Sequence, residues 1–187
     1  MNVETPVGAW PSAAGVPPVP SLRGPAARTD QAAAAERCDR LLQDTLDAVR
    51  PALVWRHGAA RSGAWLPVPG SGPDDAAVHW YAGRSRDILT IVSAARRAVL
   101  PERIEAHWRR RGWTVTSVNA CRALPGLVAV TPDGYRLALE YGELGEARLT
   151  AVSPGVDRSE GWGGGEGSAQ HRALVPEVCS PFWSAME

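Results

Sequence analysis

The chain has 187 residues with 44% hydrophobic content, enough for one ordinary domain with a real core plus terminal extensions. Its formal net charge is zero, so no global field points to nucleic acid, an anionic membrane surface or an acidic partner, and any such partner must be read from local patches. All 20 basic residues are arginine, which excludes Schiff-base catalysis and the lysine of a phosphate-binding P-loop.

The cysteines, Cys38, Cys121 and Cys179, are odd in number and form no CxxC pair or His/Cys zinc spacing, which argues against a disulfide framework or a structural metal. Residues 1–20 lack a basic segment followed by an apolar core, and no run approaches the length of a membrane helix, so a cytoplasmic location is expected.

Residues 1–28 are rich in Pro, Ala and Gly and read as a flexible arm, with Trp10 as a loosely packed aromatic. Thr29 or Asp30 then caps a first helix. Cys38, Leu41, Leu42, Thr45, Leu46 and Val49 recur along it at helical spacing, and Arg50-Pro51 ends it because a residue before Pro avoids the α region. On this pattern Cys38 is a core thiol.

Residues 52–57 read as a short strand with Leu53 and Trp55 on one side. Residues 58–75 hold too many glycines and prolines for an element interior and are expected as a loop, with Trp65 its foremost contact residue. Val78, Trp80 and Ala82 alternate as a strand, Gly83-Arg84-Ser85 offers a turn or bulge, and the apolar run Ile88 to Val92 suits a central strand covered on both faces.

From Ser93, a possible cap, a second helix is expected to run to Gly112. Leu100, Ile104 and Trp108 form its apolar stripe, Pro101 is expected to make it kink or restart, and Gly112 closes it in the left-handed conformation. Arg96, Arg97, Arg103, Arg109, Arg110 and Arg111 make a positive outer face suited to phosphate or acidic protein. It lacks the interleaved aromatics that stack bases, so nucleic acid is not favoured.

Beyond Gly112 the period changes to two. Strands are expected at 113–119, 127–130, 135–141 and 147–152, with Thr131-Pro132-Asp133-Gly134 and residues 142–145 supplying turns. The order predicts an α+β, two-layer fold: one antiparallel sheet of about five strands with two helices on one face. The domain would occupy 29–156. Residues 157–187 are expected to be a Gly-rich linker and an apolar, Pro-broken tail, disordered or weakly docked, in which Phe182 and Trp183 could engage a partner.

No catalytic, metal or cofactor motif is present: His57, His79, His107 and His171 are scattered, no G-x-S-x-G elbow occurs, and the glycines of 161–167 precede nothing helical. Cys121 with His107 or His79 is the weak option for nucleophilic chemistry.

Several short motifs carry a resemblance. Leu46-Asp47-Ala48-Val49-Arg50-Pro51, Trp55-Arg56-His57-Gly58 with Ser62-Gly63, His107-Trp108 with Arg111-Gly112, Thr131-Pro132-Asp133-Gly134-Tyr135 and Val152-Ser153-Pro154 resemble small uncharacterised lipoprotein-like proteins of actinomycete bacteria, over Cys38 to about Val156. Members of that family carry a lipoprotein signal and cysteines after the Ser-Gly and Ser-Pro pairs. Here Trp65 stands in the first loop without a cysteine and Gly155 follows Pro154, so the resemblance implies a fold rather than a disulfide-clipped form, and no enzymatic activity.

The expected function is a non-enzymatic domain that binds a protein or peptide through the 58–75 loop, the sheet edge or the tail. Its candidate binding residues are Trp65, Arg96, Arg103, Arg110, Phe182 and Trp183, with no cofactor. The alternatives are an immunity- or inhibitor-type protein, a small enzyme built on His57, His79, His107 or Cys121, and a substrate whose Cys-containing tail another enzyme modifies.

Overall fold

A computed structural model describes residues 29–65, 79–118, 124–142, 145–159 and 175–186. Helix α1 spans Gln31–Asp47 and is opened by Asp30, whose carboxylate accepts from the Ala33 N–H at 2.8 Å. Its buried stripe includes Cys38, Leu41, Leu42, Thr45 and Leu46, the residues whose spacing marked the helix.

The strands are β1 (Trp55–His57), β2 (Arg61–Trp65), β3 (His79–Ile88), β4 (Thr114–Val118), β5 (Gly126–Val130), β6 (Arg136–Tyr141) and β7 (Ala147–Val152), with α2 (Val99–Arg110) between β3 and β4. They form one seven-stranded antiparallel sheet in the order β1-β3-β7-β6-β5-β4, with β2 also on β3. Helix α1 lies over β3 and β7, and α2 over β4 and β5, which gives the expected two-layer α+β architecture. No helix among the described residues is long and apolar enough to cross a membrane.

The sheet has more strands than expected because Arg61–Trp65, despite its breaker-rich surroundings, pairs with β3. Gly63 suits that pairing: a side chain there would come within 2.9 Å of the Tyr81 ring. Gly83 does not interrupt β3, which runs unbroken for 10 residues and carries β7 on one side and both β1 and β2 on the other. The apolar run after it is correspondingly shorter as a strand, since β3 ends at Ile88.

The expected long helix from Ser93 is divided. A 3-10 turn covers Ala94–Arg96, and α2 starts afresh at Val99, so the Ser93 hydroxyl caps nothing and donates instead to the Ala185 carbonyl. Pro101 therefore falls within the first turn of α2. No intrahelical acceptor awaits its missing N–H there, so of the two outcomes expected for it, a kink or a restart, the structure has the restart. The other end is as expected: Gly112 has φ 75°, the Gly112 N–H bonds the Arg109 carbonyl and the Trp113 N–H bonds the Trp108 carbonyl, a complete Schellman motif.

The core lies between the layers, where Leu42, Leu100, Ile104, Trp108, Leu137, Leu139, Leu149 and Trp183 are all but sealed from solvent. Trp108 keeps its indole N–H satisfied there by donating to Thr45 Oγ1 at 3.0 Å, and Thr45 passes a hydrogen bond on to the Leu41 carbonyl at 2.8 Å. The opposite sheet face is mixed, with Val118, Val128 and Val130 toward the β4–β5 end and charged residues toward β3 and β7. Arg148 stands across from Glu140 on it and donates to Asp87 at 2.7 Å, with Arg56 3.8 Å away.

Residues past β7 belong to the domain as well: Asp157 accepts from the Gln31 N–H and donates to the Thr29 carbonyl, joining this stretch to the start of α1. Of the two outcomes expected for the tail, disorder or weak docking, residues 175–186 have docking, against 89–93. The Val178 carbonyl accepts from the Ile91 N–H at 2.8 Å, the Leu89 carbonyl accepts from Glu177 and Val178, and the Trp183 carbonyl accepts from Ser93 at 2.9 Å.

Candidate functional site

Four of the six residues expected to bind a partner converge, but on one another. Arg96 lies 4.6 Å over the Phe182 ring and Arg103 4.8 Å over the same ring, while Arg103 also stands 5.3 Å from the Trp183 ring. Phe182 and Trp183 meet edge to face at 4.9 Å. Trp183 is 0% exposed and donates its indole N–H to the Pro51 carbonyl at 2.8 Å. The aromatic pair thus inserts into the molecule and the two guanidiniums clasp it, each contact contributing about 0.5–2 kcal/mol. A hydrophobic anchor needs a core wall to stand on, and here the chain's own core provides it.

Arg110 is elsewhere, exposed at the end of α2. The backbone of Trp65 pairs opposite His79 in β2, while its side chain and residues 66–78 lie outside the described residues. The rest of the expected arginine face is divided among separate partners. Arg109 pairs with Glu105 one turn back, and Arg111 crosses to Asp44 on α1.

The described histidines do not share a site. His57 sits in β1 with its ring edge on Trp55, His79 is exposed at the far end of β3, and His107 faces Asp44. Cys121 and His171 lie outside the described residues. Cys38 is buried with its thiol 3.7 Å from the Ala82 carbonyl, and burial pushes its pKa up to about 12, so it stays protonated. Among the described residues no group of three or more His, Cys, Asp or Glu could hold a metal ion.

Two features remain. The first is the edge of the sheet at β4. Thr114 to Val118 pair with β5 on one side, and among the described residues no strand pairs on the other. The alternate backbone N–H and C=O groups of such a strand point away from its one neighbour. The side chains there are Thr-Val-Thr-Ser-Val, with no charge and no proline, and Val118 is 40% exposed. Edges are usually blunted by lysine, proline or a bulge, none of which stands within this strand.

The second lies where the helices meet the β5–β6 turn. Asp44 on α1 accepts from His107 Nε2 at 3.0 Å and from Arg111 Nε at 3.0 Å, with a further contact from Arg111 Nη2. Burial alone would raise the Asp44 carboxyl. The hydrogen bonds from Arg111 and His107 outweigh it and hold the group below the usual carboxylate range. The cluster borders a cleft of about 540 Å³, which sequence reading missed. The available signal was Arg37, Arg40, Leu41 and Asp44 at i, i+3, i+4 and i+7, one face of α1 beside its core stripe. Their facing partners come from residues some 70 to 90 positions away, which helical spacing cannot reveal.

No protein-family model, curated protein or solved structure matches this chain.

Proposed function

We propose that this chain is a protein- or peptide-binding domain that takes an extended segment of its partner as an extra strand along β4. The observation that supports this reading most is the uncharged β4 strand, paired on one side only among the described residues, whose open backbone row offers main-chain hydrogen bonds to an extended chain and whose alternating side chains give a partner something to read. Val118, exposed on the open sheet face, offers an apolar contact for the incoming strand. The expected tail site is set aside because Trp183 is buried in the core and Phe182, half-buried, is taken up by Arg96 and Arg103. An immunity- or inhibitor-type role is the same reading with one dedicated partner. Kinship with the lipoprotein-like proteins of actinomycetes belongs to the same proposal, carried by the short motifs named above.

The test is selection of peptides of about ten residues on the whole protein, followed by amide hydrogen exchange of the best binder's complex. Slowed exchange at Thr114 to Val118 is expected, because β-addition ties up those amides. Slowed exchange confined to another element, or no binder from a library that yields binders for a control domain with a known strand-addition site, overturns the reading.

A further inference from the structure

We infer that the cleft between α1 and the β5–β6 turn is a binding site for a small anion carrying a flat apolar body, such as an aryl phosphate or aryl carboxylate. This assignment is independent of the β4 reading, since it uses different residues on the helix-layer side.

The walls have distinct jobs. Arg37, Arg40 and Leu41 come from one face of α1, Pro132 from the β5–β6 turn, and Trp113 from the residue before β4. The volume, about 540 Å³, falls in the ordinary range for small-molecule sites, roughly 300–1,000 Å³. Trp113 is held by its neighbours: its ring stands 6.1 Å from Trp108, tilted by 36°, and 6.4 Å from His107, which meets it edge-on. The indole is thereby a preset apolar wall, backed by the core and half-buried where the cleft begins.

Charge decides what sits against that wall. Three arginines and two aspartates line the cleft. Asp44 is already engaged by Arg111 and His107, and Asp133 by Arg37 at 3.3 Å. Arg40, exposed, has no partner among the described residues and leaves the cleft with a net positive charge. A guanidinium free to turn beside a second one, Arg37, suits bidentate recognition of phosphate or carboxylate. Asp44 has the positioning role. By fixing Arg111 and His107 it keeps them off Arg40's ligand and packs the His107 ring against Trp113.

The experiment is titration of the whole protein with phenyl phosphate, inorganic phosphate and benzyl alcohol, followed by amide and indole N–H shifts in a ¹H–¹⁵N spectrum. Phenyl phosphate is expected to shift the Trp113 indole, Asp44 and Asp133 signals saturably, benzyl alcohol not at all, and inorganic phosphate at least tenfold more weakly. Arg40→Glu, at an exposed helix position, is expected to lower thermal melting only slightly, because Glu36 and Asp44 stand one turn to either side, and to weaken phenyl phosphate by about tenfold or more, the scale of one charge-assisted contact. Three results overturn the assignment: no saturable shift at the cleft, equal affinity in wild type and Arg40→Glu, or inorganic phosphate binding as tightly as phenyl phosphate, which would leave Trp113 without a role.

Discussion

Two stretches of extended backbone in this molecule meet opposite fates. Residues 89–93 continue past the end of β3, and the chain's own segment 175–186 lies along them: Thr90 and Val178 form a parallel bridge, and Trp183 drives into the core beside it. Residues 114–118, at the far edge of the same sheet, have β5 on one side and no strand on the other among the described residues. The first stretch shows that this chain satisfies an open backbone row when it has an aromatic anchor to hold the added segment. The second has the row and, among the described residues, no segment along it, which is why it is the better candidate for a partner.

The comparison breaks most visibly at the anchor. Trp183→Ala removes a fully buried indole together with its hydrogen bond to the Pro51 carbonyl. The expected cost is about 3–5 kcal/mol, the range for large aromatic truncations in a core, read as a shift of the urea midpoint. The same variant should speed amide exchange at Ile91 and Ser93, whose N–H groups bond the docked segment, and leave β4 unaltered. If stability is unchanged, the segment does not hold the self-paired stretch and the contrast between the two regions collapses.

The next effect comes from the thiol under β3. Cys38 has its folded pKa raised from 9.0 to about 12, chiefly by burial, so the native state holds its proton more tightly than the unfolded chain does. Its contribution to stability is therefore fully present below about pH 9 and is lost as pH rises from there toward 12. Tyr135, raised by burial to about 12 from 10.0, adds a similar loss that begins higher. Urea melts from pH 7 to 11 should show wild-type stability falling more steeply above pH 9 than that of Cys38→Ala. Parallel profiles would mean the thiol ionises as freely folded as unfolded. At neutral pH the same burial predicts that exposed Cys179 reacts with a thiol reagent while Cys38 waits for unfolding.

Much of this architecture was legible because it rests on period and punctuation. The α1 stripe from Cys38 to Val49, the Gly112 stop and the alternation of β6 and β7 all follow from local spacing. The misreadings have one physical source, which is tertiary pairing that spacing does not record. Arg61–Trp65 looks like loop and becomes β2 because β3 offers it a partner, and Gly83 looks like a turn yet sits mid-strand because β2 and β7 hold it on both sides. Ser93 looks like a cap, but its hydroxyl goes to Ala185. Phe182 and Trp183 read as sticky, which they are; nothing local said that Arg96, Arg103 and Pro51 would be the surfaces they meet. The cleft was hidden for the same reason, since only Arg37, Arg40, Leu41 and Asp44 share an element.

The smallest effect on stability falls at β4, and there the comparison is sharpest. Val118→Lys places a charge on an exposed side chain at the end of an edge strand, so folding should change by no more than about 0.5 kcal/mol, the usual range for surface substitutions that touch no special feature. An added strand would have to bury or skirt that ammonium, the device by which edges are ordinarily protected. Peptides selected on the wild-type protein should therefore lose at least tenfold in affinity for Val118→Lys, while Trp183 stays buried and the melting temperature stays put. A lysine at Thr150, on the same open face but two ladders inward of β5, is the control: it should leave peptide affinity unchanged. Equal loss at both positions would assign the binding to the open sheet face as a whole, and retention at both would take it away from the sheet. Only loss at Val118 alone makes β4 what residues 89–93 already are, a backbone row that accepts one more extended segment.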